Sequence, residues 1–117
     1  MAAINFIELD NRGVLVINGA DGLDFLQGLL SNDVSQATEE RTVYAALLTP
    51  QGKYLHDFFI SRSGDSYLID CESARLMDLA QRLIAYRLRA NVELLDATED
   101  WRVVALIGED AGAAFGL

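Results

Sequence analysis

Between Thr42 and Cys71 the chain reads as three strand-like runs separated by two tight turns, and no other stretch constrains the fold as strongly. Thr42 to Thr49 is strand-like, and Pro50-Gln51-Gly52-Lys53 is a turn signal. Tyr54 to Ser61 reads as the returning strand of a hairpin. Arg62-Ser63-Gly64-Asp65-Ser66 then turns the chain into Tyr67 to Cys71. Connections this short join antiparallel neighbours, because a parallel crossover takes a dozen residues or more. The expectation is an antiparallel β-meander.

The flanks add two helices. Ile4 to Leu9 suits a short strand. Val14-Leu15-Val16-Ile17, inside Gly13 to Asn18, is the continuous apolar run of a strand buried on both faces. Gly19-Ala20-Asp21-Gly22 breaks it. Asp21 is a good N-cap and Asp24 falls in the first turn. Leu23, Leu26 and Leu30 recur at helical spacing with Phe25 and Leu29 beside them, which predicts a helix over 21–30. Gly28 inside that helix costs about 1 kcal/mol against alanine, so a close packing partner is expected there. Ser31 to Arg41 is polar and reads as a loop, with Asn32 and Asp33 ending the helix. Ser73 is the expected cap of a second helix over 74–88, with Leu76, Leu79, Ala80, Leu83 and Ile84 as its apolar stripe. Asn91 to Leu95 reads as an edge strand and Trp101 to Ile107 as a buried one. The fold class expected is α+β, a β-β-α-β-β-β-α unit.

One stretch echoes another. Val14-Leu15-Val16-Ile17-Asn18-Gly19-Ala20-Asp21 is matched by Val103-Val104-Ala105-Leu106-Ile107-Gly108-Glu109-Asp110. In both, an apolar strand ends in Gly-x-Asp and a helical segment with a phenylalanine follows (Phe25, Phe115). Two readings stand: coincidence between two strand–helix corners, or a duplicated unit. Under the second, residues 1–100 are a first half and 101–117 begin a similar second half. The sequence then stops too early in that helix for it to be complete, and a fragment of a longer protein is expected.

Composition narrows the function classes. At 117 residues the chain suits one ordinary domain and needs no disulfide or metal staple. Its single cysteine excludes an internal disulfide framework, and one His with one Cys makes no zinc site, so no metal is expected. A net charge of −9 repels a phosphate backbone, which argues against nucleic acid as a direct partner. No run reaches the ~18 apolar residues of a membrane span. Met1 to Leu9 lacks the charged start and long apolar core of a signal peptide. A cytoplasmic protein without a membrane partner is the expectation.

The hairpin strand carries the most chemistry. Strict alternation puts Leu55, Asp57 and Phe59 on one face and Tyr54, His56, Phe58 and Ile60 on the other. A carboxylate between two large apolar residues is unfavourable unless it is paired or hydrogen-bonded. Asp57 therefore either binds a polar ligand or is a satisfied structural aspartate. His56, the only histidine, is the residue type most often used as a general base. No motif sets a Ser, Cys or carboxylate beside it, so it reads as structural or solvent-facing. Cys71 sits between Asp70 and Glu72, which disfavour a thiolate, and reads as a buried, inert thiol. Arg75, Arg82, Arg87 and Arg89 either hold a carboxylate-rich ligand tail or acidic partner, or line a solvated helix face. Gly19 and Gly22 lack the GxGxxG spacing of a dinucleotide loop.

The order of these segments resembles a known superfamily. Gly19-Ala20-Asp21 followed by Phe25-Leu26-Gln27-Gly28-Leu29-Leu30-Ser31-Asn32-Asp33-Val34 is similar to the G-x-D-x-x-x-F-L-Q-G-(L/Q)-(L/V)-(S/T)-N-D-V stretch of the aminomethyltransferase (glycine-cleavage T-protein) folate-binding superfamily. Tyr44 to Lys53 resembles its strand and x-x-G-(K/R/G) turn. Tyr67 to Glu72 and Ala85-Tyr86-Arg87-Leu88-Arg89 look closest to its YgfZ-type iron–sulfur assembly branch, and the resemblance runs from about residue 5 to 117. The branch's Lys-Gly-Cys-Tyr-x-Gly-Gln-Glu motif is absent from this chain.

The resemblance implies a folate-binding region of two similar halves that exchange their first strands, with tetrahydrofolate or a one-carbon derivative as cofactor. In the aminomethyltransferases two successive acids follow the turn, and the second serves tetrahydrofolate and catalysis. Here they read His56-Asp57: Asp57 matches as the cofactor-binding and catalytic position, and His56 departs. Ile69 and Cys71 match a strand lining the same folate site, and Leu48 matches a neighbouring position. Cys71 stands where the aminomethyltransferases tend to have Asn. Three functions follow: a tetrahydrofolate-binding accessory protein for iron–sulfur cluster assembly or repair, a tetrahydrofolate-dependent aminomethyltransferase, or a non-catalytic interaction domain. The implied partners are folate and an iron–sulfur client or assembly factor. A fragment is also expected to self-associate through unpaired strand edges.

Overall fold

A computed structural model describes residues 5–101 and 103–107. In chain order the elements are β1 (Asn5–Glu8), β2 (Arg12–Asn18), α1 (Gly22–Leu29), β3 (Val43–Leu48), β4 (Tyr54–Ser63), β5 (Ser66–Glu72), α2 (Leu76–Arg87), β6 (Glu93–Asp96) and β7 (Val104–Ile107). The expected meander is present as β3-β4-β5. It continues through β2 to β6, giving a five-stranded antiparallel sheet of order β3-β4-β5-β2-β6. This is the α+β fold the sequence pattern implies. β2 has partners on both sides, Leu15 lying opposite Ile69 of β5 and Asp96 of β6, which suits its continuous apolar run. β6 is an edge, as expected. β1 stands apart from this sheet and pairs antiparallel with β7, Asn5 opposite Ile107. The second copy of the echoed stretch beyond Ile107, with Phe115, lies outside the described residues.

One face of the sheet makes the core. Period-two alternation delivers Val43, Ala45 and Leu47 from β3, Phe58 and Ile60 from β4, Ile69 and Cys71 from β5, and Leu15 and Ile17 from β2. Both helices close over them, α1 with Phe25 and Leu26 and α2 with Leu76, Leu79 and Leu83. Each of the Val, Leu, Ile and Phe side chains stabilises the fold by roughly 1.5–3 kcal/mol relative to exposure. The stripe of α2 is narrower than expected: Ile84 is exposed.

The helix starts differ from the sequence expectation. Asp21 does occupy the cap position of α1, and its carbonyl accepts from Phe25 N–H at 2.8 Å. Its carboxylate, however, accepts the N–H of Asn91 at 2.6 Å and ties the corner to the segment after α2. Gly19 permits that approach: its φ is +119°, and a Cβ there would lie 2.1 Å from the Asn91 carbonyl oxygen. Ser73 does not cap α2. Residues Ser73–Arg75 form a 3-10 turn and the α-helix begins at Leu76, without a side-chain cap. Gly28 has no packing partner among the described residues, since a Cβ there would meet none of them within 4 Å.

The segment after α1 is more than a polar loop. A 3-10 turn at Val34–Gln36 sinks Val34 and Ala37 into the core. Gln27 holds it: its Oε1 accepts from Val34 N–H at 2.8 Å and its Nε2 donates to the Asn32 carbonyl at 2.9 Å. Asn32 Nδ2 donates to the Tyr44 carbonyl at 2.9 Å, and Asp33 Oδ1 accepts from Ser35 N–H at 3.0 Å. The Gln-Gly-x-x-x-Asn-Asp-Val part of the motif is thus a clamp that fastens this loop to the edge strand β3.

Candidate functional site

The same alternation that fills the core sends Tyr44, Asp57, Phe59, Asp70 and Arg12 to the opposite face of the sheet, away from both helices. Tyr44, Phe59 and Asp70 form a row across β3, β4 and β5, with Asp57 two residues along β4 and Arg12 reaching over from β2. Tyr44 lies opposite Phe59 in the ladder, their ring centroids 5.3 Å apart and tilted by 50°. Phe59 in turn lies opposite Asp70. Arg12 holds Asp70 from β2: its Nε donates to Asp70 Oδ1 at 2.8 Å and its terminal nitrogen to the Asp70 carbonyl at 2.9 Å.

Asp57 is the chemical centre of this face. The Tyr44 hydroxyl donates to Asp57 Oδ2 at 2.5 Å. Hydrogen bonding from Tyr44 first and Tyr54 second holds the Asp57 carboxyl below its ordinary range, against a smaller opposing effect of burial. The same carboxylate pushes both phenols up. The result is a carboxylate that stays ionised, set among the aromatic side chains of Tyr44, Tyr54 and Phe59, all of them exposed.

Tyr54 reaches this face because of a bulge. The β3–β4 ladder pairs Leu47 with His56 but Leu48 with Tyr54, which leaves Leu55 as an extra residue. Strict alternation placed Leu55 with Asp57 and Tyr54 with His56, and the bulge reverses both. Leu55 packs against the core cluster, and Tyr54 turns to the side of Asp57. From His56 to Ile60 the alternation holds: His56, Phe58 and Ile60 are buried and Phe59 is exposed.

The four positions matched to the folate site are not brought together. Asp57 and Leu48 belong to the open face. Ile69 and Cys71 are on the other face, 0% and 1% exposed beneath the helices. The register sets this, because Asp70, not its neighbours, lies across from Phe59. Cys71 has the inert character expected of it: burial raises its thiol to about 11.

His56 has the carboxylate partner that no local motif announced. It is buried, and its Nε2 lies 2.6 Å from Asp78 Oδ2 of α2. Its Nδ1 accepts from Arg75 Nε at 3.3 Å, which places the ring proton on Nε2, facing Asp78. Arg82 Nε donates to the same Asp78 oxygen at 2.8 Å, and Arg82 first, then His56, lowers the Asp78 carboxyl. Arg75 and Arg82 thus turn to Asp78, His56 and β4, while Arg87 and Arg89 are exposed. The four arginines do not converge on one ligand tail. Two hollows of the described surface lie elsewhere. One of about 480 Å³ is bordered by Gly19, Leu23, Arg62 and Tyr67, and one of about 420 Å³ by Ser73, Met77, Asp96 and Asp100. Among the described residues Asp57 borders neither hollow and stands on an open face.

A two-helix antiparallel sheet domain that leaves one aromatic, carboxylate-bearing face open defines the class structurally. The chain belongs to the GCVT N-terminal domain family, whose model matches residues 2–115. It is similar to the mitochondrial iron–sulfur cluster assembly factor IBA57 homologue of Mycosarcoma maydis, 35% identical over 111 residues, covering 83% of this chain and 27% of that protein. The IBA57 homologue of Cryptococcus neoformans var. neoformans is 34% identical over 113 residues, covering 94% of this chain and 29% of that one. Among solved structures, the glycine cleavage system aminomethyltransferase T from Bartonella henselae matches with a TM-score of 0.75 at 14% identity, over 97% of this chain and 31% of that one. That likeness shows the fold. The chain spans less than a third of the length of each of these proteins.

Proposed function

We propose that the protein binds tetrahydrofolate, or a one-carbon derivative of it, on the open sheet face at Asp57, and that it acts as an accessory factor in iron–sulfur cluster assembly or repair. The observation that carries the folate half is Asp57 itself, an ionised carboxylate hydrogen-bonded by the Tyr44 phenol on an aromatic surface. Such a group accepts N–H donors, and the exposed rings of Phe59, Tyr44 and Tyr54 suit a flat heterocycle. The assembly half rests on the iron–sulfur factors to which the chain is similar.

Tetrahydrofolate would supply the nitrogens that carry a one-carbon unit. Asp57 would accept a hydrogen bond from the reduced ring and favour positive charge near it. Tyr44 and Tyr54 would orient the carboxylate and keep it charged. Leu48 would border the ligand at the edge strand. Ile69 and Cys71 would act from behind the sheet, as packing. The cytoplasmic placement remains part of this reading, and fractionation of the native protein tests it.

Calorimetric titration of tetrahydrofolate into the protein, wild type beside Asp57→Ala, tests the site. At least tenfold weaker binding by the variant, about 1.4 kcal/mol, is expected. No binding by the wild type would sink the folate half. Activities of iron–sulfur enzymes in cells lacking the gene test the other half, and unchanged activities would end it.

A further inference from the structure

The Leu55 bulge is tied down from outside the sheet. Leu55 has no partner in the β3 ladder, and its carbonyl accepts from the Arg75 guanidinium at 2.7 Å. The same guanidinium donates through Nε to His56 Nδ1, the next residue of the bulge. His56 is held from its far side by Asp78, and Asp78 by Arg82. The 3-10 turn before α2 and the first turns of that helix thus grip the two residues at which β4 changes register. A bulge re-aims the side chains that precede it, and here the side chain re-aimed is Tyr54.

We propose that Arg75, backed by His56 and Asp78, is a positioning residue: by bonding the Leu55 carbonyl it holds the β4 bulge that carries the Tyr54 hydroxyl to the Asp57 side of the sheet. Tyr54 pairs with the exposed Leu48 across the bulge, and without the bulge it would fall on the His56 side, away from Asp57. Arg75 never touches the ligand. It acts through the backbone of β4, from the opposite side of the sheet. The proposal takes from the functional reading only that Asp57 is the ligand carboxylate.

The test reads Asp57 without any ligand. Titration of its carboxyl by NMR is compared in wild type, Tyr54→Phe, Arg75→Ala and the double variant, with Arg87→Ala at the far end of α2 as a control. Arg75 is exposed, so its removal opens no cavity in the apolar core. Arg75→Ala and Tyr54→Phe are each expected to raise the Asp57 carboxyl toward the ordinary value of about 4. The double variant is expected to do no more than Tyr54→Phe alone, the coupling a latch requires. Contacts from the Tyr54 ring to Asp57 should disappear in Arg75→Ala and persist in Arg87→Ala. Equal additional effects of Arg75→Ala with and without the Tyr54 hydroxyl would reveal a plain charge effect and overturn the proposal. An unmoved Tyr54 ring would do the same. Tetrahydrofolate titration of these variants keeps the two ideas apart: absence of binding by the wild type removes the folate reading and leaves the latch result standing.

Discussion

Phe58 and Phe59 are neighbours in the chain and opposites in environment. Phe58 is fully buried under the helices, while Phe59 is 43% exposed beside Asp57 and Tyr44. One residue step along β4 separates a face that stabilises the fold from a face that can meet a ligand. The same division runs through β3, where Leu47 is buried and Leu48 exposed, and through β5, where Cys71 is buried and Asp70 pairs with Arg12. The lesson is that a residue's match to a family position says little until its face is known. Ile69 and Cys71 share a strand with the site and not a surface.

The largest expected effect tests the division itself. Phe58→Ala should cost about 3–5 kcal/mol in urea unfolding, because it leaves a cavity in a packed core. Phe59→Ala should cost under about 1 kcal/mol, as a partly exposed side chain does. Comparable losses at the two positions would break the comparison.

Asp57→Asn should separate binding from folding. Tetrahydrofolate affinity should fall at least tenfold, about 1.4 kcal/mol. The stability difference between wild type and variant should depend on pH with a definite sign. The Asp57 carboxyl is lowered in the folded state, so its contribution is present above the unfolded value and is lost as pH falls through the folded one. Urea midpoints at a series of pH values should therefore converge for the two proteins on acidification. A constant gap would mean that Asp57 is not held as described.

Cys71 gives the mirror-image prediction on the buried face. Burial raises its thiol from 9.0 to about 11, so its contribution is present below the unfolded value and is lost as pH rises through the folded one. Cys71→Ala should flatten the alkaline fall in stability between those limits. A maleimide should label Cys71 at least about tenfold more slowly in the native protein than in urea. Rapid native labelling would put Cys71 on the open face after all.

The smallest effect concerns the outer side of α1. Gly28 has open space where a Cβ would go, so Gly28→Ala should raise stability by about 0.5–1 kcal/mol. A loss would mean that a partner packs there in the working protein.

Much of this was legible in the residues alone. The two short turns dictated the meander, because nothing but antiparallel pairing spans so few residues. Alternation from His56 to Ile60 separated the Phe58 face from the Asp57 face, although which of them points inward took the helices to decide. The Gln27 to Val34 motif marked its place, although its role as a loop clamp needed coordinates. What stayed hidden depends on partners distant in sequence. Asp78 meets His56 from a helix 22 residues further on, and no spacing rule links a strand position to a helix position. Asp70 rather than Ile69 or Cys71 faces the site because the β4–β5 register puts it across from Phe59. The Leu55 bulge inserts a single residue without a compositional mark, yet it reverses the faces of two side chains. Local periodicity is a property of the chain by itself, and it set the elements and their two faces. Register, bulge and helix-to-strand pairing are settled only when separate segments meet, so tertiary structure decided which residues stand beside Asp57.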